Sequence, residues 1–155
     1  MSVESRLRAE LLSDPGLSAL IGDRLYLMQL PQNPQGPPTD LYPCGVYARI
    51  STVPLYVHTR GRSTLQGGQA SVGRARFSFT FWSDDGTNGS IIVENIALAL
   101  MAAMENVNLV DLPSSPFTIA GAPNFLVTRR PGIEPQTQPP LQKTMLDFLC
   151  WYQDQ

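Results

Sequence analysis

Lysine and histidine are nearly absent from this chain, each occurring once, as Lys143 and His58, and cysteine occurs twice, as Cys44 and Cys150. Each scarcity excludes a class of protein. Two cysteines are too few for a disulfide scaffold. Both share parity with neighbours expected to face inward, so both are read as buried free thiols. There is no Cys-x-x-Cys and no His-Glu pair, so no zinc site is expected. His58 sits in a glycine-bearing loop with no acid beside it, which fits an exposed histidine better than a catalytic one. Gly67-Gly68 and Gly73 lack the Gly-Lys-Ser/Thr ending of a phosphate loop, and no dinucleotide fingerprint occurs. The sequence therefore predicts no cofactor, no metal and no enzyme.

Long apolar runs are missing too. Glu94 and Glu105 interrupt the best candidate for a membrane span. The opening MSVESRLRAELL is charged and amphipathic, unlike a signal peptide. A soluble intracellular protein without membrane contact, its thiols reduced, is the expectation.

Acidic residues vanish over a long interval. None lies between Asp40 and Asp84, while Arg49, Arg60, Arg62, Arg74 and Arg76 all do. Arginine rather than lysine suits fixed contacts with carboxylate or phosphate, although a base-composition bias in the gene would leave the same imprint. The net charge of −2 argues against a generally nucleic-acid-binding protein.

What is present is organised around Arg74–Val107. RARFSFTFW alternates strictly, with Phe77, Phe79 and Phe81 on one face, as in a half-buried strand. SDDGTNGS is a turn, with Asp84-Asp85 at a helix entrance and Asn88-Gly89-Ser90 as capping chemistry. IIVENIALALMAAMENV then puts Ile92, Ile96, Leu100, Ala103 and Val107 on one helix face. Phe79 is expected to pack on Ile92, Ile96 and Leu100, each buried ring contributing about 1.5–3 kcal/mol.

Around this nucleus the chain reads in order. Val3, Leu7 and Leu11 mark an N-terminal helix, restarted at Ser13-Asp14-Pro15 and stopped at Gly22. Leu25-Tyr26 is a candidate short strand. Five prolines from Pro31 to Pro43 predict an irregular loop. CGVYARI, 44–50, is a strand, with Val46, Ala48 and Ile50 on one face and Tyr47 and Arg49 on the other. Thr52–Gly73 reads as the long end of a hairpin with a movable tip. Phe125–Arg129 and Thr144–Tyr152 are further strands, with a proline-rich loop from Pro131 to Pro140 between them.

The sum is α+β: an antiparallel or mixed sheet of about four strands, with an N-terminal helix and a long central helix on one face. The length of 155 residues fits one domain spanning the whole chain. Tyr47, Trp82, Leu149 and Trp151 are expected on the second sheet face, as a candidate subunit interface. Open sheet edges and three long loops point to an assembly protein.

LSALIGDRLY, YPCGVYARI, RARFSFTFW, the alanine-rich helix and the closing LDFLCWY follow one another in an order similar to that of a known family. The chain resembles the tail terminator, or tail completion, proteins of long-tailed phages and related gene-transfer particles. The resemblance covers nearly the whole chain, although residues 108–124 are less typical and the loop at 28–44 is long. It implies a structural virion protein at the head–tail junction, made in the host cytoplasm. Such a protein forms a homo-hexameric ring, caps the tail tube, stops its polymerisation and docks the neck. Implied partners are further copies of itself, the major tail tube protein, a head-neck connector or stopper, and the DNA passing through the ring. Mapped on this family, His58, Arg60, Arg62, Arg74 and Arg76 are candidate contacts to the tube or lumen. Two alternatives stay open: another neck or head-completion component, and a small RNA-binding domain stacking bases on Phe77, Phe79 and Phe81.

Overall fold

Residues 2–31, 41–55, 72–109, 124–135 and 140–153 are described in the computed structural model, and every structural statement below concerns them. The elements run α1 (Val3–Ser13), α2 (Pro15–Ile21), β1 (Leu25–Leu27), β2 (Cys44–Leu55), β3 (Val72–Ser83), α3 (Gly89–Met104), β4 (Asn124–Glu134) and β5 (Leu141–Gln153). The strands form one sheet in the order β1-β2-β3-β5-β4. β1 runs parallel to β2, and all other pairs are antiparallel. The architecture is α+β, as expected, with a mixed sheet of five strands rather than about four.

Local chemistry sets the helix ends. The Ser2 hydroxyl accepts from Ser5 N–H at 3.2 Å and opens α1. Asp14 accepts from Leu17 N–H at 2.8 Å, Pro15 occupies the first turn of α2, and Gly22 at φ 62° ends it. The entrance to α3 differs from expectation. Asn88 holds the N-cap position but makes no side-chain capping bond. Asp85 does that work one turn earlier, its Oδ1 accepting from the N–H groups of Thr87 and Asn88 at 2.8 Å each. At the far end of α3, Asn124 Nδ2 donates to the carbonyls of Met104 at 2.8 Å and Val107 at 2.9 Å. A residue of β4 thus satisfies acceptors that the helix itself leaves open.

The core lies between the sheet and the helices. Phe77, Phe79 and Phe81 are fully buried, together with Ile96, Ala97 and Leu100 of α3. Ile92 packs at the border of the same cluster, and Val107 joins it from just beyond the helix end. Phe79 is the centre of an aromatic group. Its ring centroid lies 6.0 Å from Tyr47, 6.5 Å from Phe81 and 5.9 Å, edge-on, from Phe148. Two glycines make room for such rings. An added Cβ at Gly45 would come within 2.4 Å of the Phe81 ring, and one at Gly73 within 2.8 Å of the Tyr152 ring. In both cases glycine and ring are direct cross-strand partners.

Strand alternation was legible, but the side on which one strand faces was not. Tyr47 pairs with Phe79 and is buried against the helices, so it does not belong to the second face where it was expected. Val46 and Ala48 take that face instead. Cys44 shares their parity, so it is buried without facing the helices, whereas Cys150 pairs with Ala75 in the main core. The two thiols are seven positions apart along β3, by their partners Trp82 and Ala75, which is about 23 Å at ~3.3 Å per residue. No disulfide can join them.

The second proline-rich segment also differs. β4 continues through Pro131 to Glu134, where a loop was expected. Proline is tolerated there because β4 is an edge strand with one neighbour only. β2 and β3 pair as an antiparallel hairpin, as expected, their ladder extending to Leu55 opposite Val72, and the tip expected to be movable lies outside the described residues.

Candidate interaction surface

The helices cover one side of the sheet, α3 lying over β3 and β5, and among the described residues no helix covers the other side, called the bare face below. Alternation and register determine what the bare face presents. β5 contributes Lys143, Met145, Asp147, Leu149 and Trp151, opposite Trp82, Thr80, Ser78, Arg76 and Arg74 of β3. β4 adds Phe125 opposite Leu149, Thr128 opposite Asp147 and Arg130 opposite Met145. Three of the four residues expected at a subunit interface, Trp82, Leu149 and Trp151, therefore share this face. All three are partly exposed. Arg74 and Arg76, expected at a tube or lumen contact, lie on the same face. His58, Arg60 and Arg62 lie outside the described residues.

The middle of the face is a polar network. Arg76 donates to Asp147 Oδ2 at 2.5 Å, and the Thr128 hydroxyl donates to the same oxygen at 3.2 Å. The Asp147 side chain is 5% exposed and that of Arg76 37%. Burial by itself would raise the pKa of Asp147. Hydrogen bonds from Arg76 and Ser78, the Arg76 charge and the Thr128 hydroxyl outweigh it, and the carboxyl is held below the ordinary range. Three strands are tied together at this point. A bulge in β4 between Leu126 and Thr128 aims Thr128 into the network.

Either side of the network the face is aromatic and cationic. Toward the hairpin, the Arg74 guanidinium stacks on Trp151 at 5.5 Å from the ring centroid. Phe125, 58% exposed, lies diagonally across from that ring. Toward the other end, Trp82 pairs with Lys143, which is bonded to Glu134. Arg74 and Arg130 have no carboxylate partner among the described residues. The cations therefore outnumber the acids, Arg74, Arg76, Arg130 and Lys143 against Asp147 and Glu134.

Sequence reasoning missed β4 as a contributor. Phe125, Leu126, Val127 and Ile133 are all exposed on this edge strand. The sign was a run of three large apolar residues without strict alternation, which a buried strand also shows. Phe77, Phe79 and Phe81 are fully buried, so they offer no stacking platform for bases. A groove among the described residues lies elsewhere, between the C-terminal ends of α1 and α3. No cluster of metal-ligating side chains occurs among the described residues, and no helix is long and apolar enough to cross a membrane.

No protein-family profile matches the chain, and no curated protein matches it. Among solved structures it is similar to a chain in the virion of a native gene transfer agent particle. The two share 16% sequence identity with a TM-score of 0.52, over 99% of this chain and 98% of the other. At that identity the likeness is one of fold, and it runs essentially end to end.

Proposed function

We propose that this chain is a structural protein of a tailed, phage-like particle. In this reading it caps the head-proximal end of the tail tube as a homo-hexameric ring, stops tube polymerisation and offers the neck a docking surface. It carries out no reaction and uses no cofactor. Its partners are copies of itself, the tail tube protein, a neck connector and the DNA that passes through the ring. It works in the virion, at the head–tail junction.

The observation that carries the reading is the end-to-end likeness to a chain of a gene transfer agent virion. The order of sequence patterns similar to tail terminators supports it independently. So does the bare sheet face, where Trp82, Trp151 and arginines form the kind of surface that protein interfaces favour.

The test is made on particles. Tails assembled without this protein are expected to grow past their normal length and fail to join heads. Added back, the purified protein should appear by negative-stain microscopy at one end of each tube. Tails of normal length that still join heads would overturn the terminator role. Binding to the portal end of filled heads rather than to tubes would assign the chain to another neck component.

A further inference from the structure

We infer that the bare sheet face docks against the acidic ends of α1 and α3 of a second copy, so that copies associate head to tail. The inference rests on the reading of this chain as a self-assembling ring subunit, and names the surfaces that would meet.

The two surfaces differ in charge. On the sheet face, Arg74 and Arg130 are cations without a carboxylate partner among the described residues. Around the ends of α1 and α3 the excess is acidic, with Glu10, Asp14 and Glu105 against Arg6, which donates to the Asn108 carbonyl at 3.1 Å. Glu10 lies in the last turn of α1, and Glu105 is the C-cap of α3. Neither helix has a basic residue in its last turn. Helix C-termini carry partial negative charge, so an acid there is repelled by its own helix. Both glutamates are exposed, and neither has a cation partner among the described residues. Within the monomer these placements are unfavourable twice over, and a cationic surface on another molecule would relieve both.

Shape agrees with charge. Between the two helix ends runs a groove lined by Glu10, Ser13, Asp14, Ala103, Asn106 and Val107. Glu10 and Asp14 line it together with the buried Ala103 and Val107, while Glu105 lines a second groove, with Met101, Asn124 and Leu126. The sheet face offers Arg74 stacked on Trp151, with the exposed Phe125 diagonally across, and Arg130 farther along, opposite Met145. Arginine and tryptophan are the residues most enriched where interfaces are tightest.

A second copy is favoured as the occupant because both halves of the match are present on one chain. A twofold contact of sheet face on sheet face would set Arg74 and Arg130 against cations. A head-to-tail contact sets them against Glu10 and Glu105, and contacts of that kind close into rings. Nucleic acid is disfavoured, since the chain's net charge is −2.

Charge reversal tests this. One variant carries Arg74→Glu with Arg130→Glu, and the other Glu10→Arg with Glu105→Arg. Glu10, Glu105 and Arg130 are exposed and Arg74 is half-buried on Trp151, so circular dichroism should match the wild type and only the Arg74 change should lower the melting temperature. Sedimentation velocity, in solution and on tail tubes, should show association of each variant weakened about tenfold or more. Wild-type association should weaken as salt rises. Mixing the two variants should restore association, because each face then meets its complement. If Arg74→Glu disturbs the Trp151 stack, Arg130→Glu alone carries the test, that side chain being exposed. Rings that survive either reversal, or variants that fail to rescue each other, overturn this interface and leave the ring reading intact. A wild-type chain that stays monomeric both free and on tubes overturns the two together. A DNA oligonucleotide bound by the sheet face and released by Arg74→Glu with Arg130→Glu, with self-association unchanged, would assign the face to nucleic acid instead.

Discussion

The Tyr47 hydroxyl donates to the Glu4 carbonyl at 2.9 Å, fastening the first turn of α1 to the middle of β2. Two neighbouring contacts act in the same direction. Arg49 Nε lies 2.9 Å from Glu4 Oε1, and Arg8 reaches the Leu25 carbonyl at 2.8 Å. Tyr47→Phe removes one neutral hydrogen bond and keeps the ring stacked on Phe79. The expected cost is about 0.5–1.5 kcal/mol, read by urea denaturation. Tyr47→Ala should cost several times more, because it empties a fully buried site. If the two variants cost the same, the ring contributes nothing to packing.

Phe79→Ala should be among the most damaging single changes, at about 3–5 kcal/mol. The ring is fully buried and touches aromatic neighbours on three strands. Chemical denaturation measures the loss, and a value under about 1 kcal/mol would mean that the core tolerates a cavity there.

Gly45→Ala tests packing in the opposite direction. Its Cβ would sit 2.4 Å from the Phe81 ring and 3.3 Å from Leu25 Cδ1. Both neighbours are fully buried and cannot swing into solvent. Adding one methyl should therefore cost about 1–3 kcal/mol despite alanine's better backbone entropy. Gly86→Ala is the control, since nothing lies within 4 Å of its added Cβ.

Asp147 makes stability depend on acid. Its folded pKa lies below the unfolded value of about 3.9, so its contribution is present above that pH. The contribution is lost as pH falls through the folded pKa. Asp147→Asn should cost about 1–3 kcal/mol at neutral pH, less than a fully buried pair because Arg76 is partly solvated. Melting temperatures followed from neutral pH to below pH ~3.9 should converge for the two proteins.

The thiols depend on alkali. Burial pushes Cys44 and Cys150 each up to about 12 from 9.0. Raised folded values mean stability that is complete below about pH 9 and lost progressively toward pH 12. At neutral pH neither should react with a thiol reagent in the native state. Both should react once the chain is unfolded, and mass spectrometry counts the adducts.

These expectations show where the sequence was informative. Phe77, Phe79 and Phe81 declared their strand and its buried side, because a large aromatic at every second position has one physical solution. Asp14-Pro15 and Gly22 declared α2 through backbone chemistry that acts within a few residues. β2 declared its parity but not its side. Tyr47 and Val46 are both acceptable inward, and the decision comes from Phe79 across the ladder, a long-range partner. Pro131 misled because its missing N–H excludes a central strand only, and position within a sheet is not a local property. The bare face was half legible: Trp82, Leu149 and Trp151 follow from parity, whereas Phe125, Thr128 and Arg130 depend on a bulge that no local signal marked.

The position of β4 has a consequence for how the molecule opens. It has one neighbour, β5, and α3 lies over β3 and β5, so the strand's outer edge and much of both its surfaces meet water. Its attachment rests on one ladder, the Asn124 bonds, the Thr128 hydroxyl and the ion pairs of Arg129 with Glu94 and of Glu134 with Lys143. Segments held in this way detach at free energies below that of global unfolding. Amide exchange should therefore separate β4 from β3, whose deuterium uptake waits for the whole domain to open. Any partner that covers Phe125 and its neighbours would close that gap, and the last strand to be protected in the free subunit would become one of its firmest in an assembly.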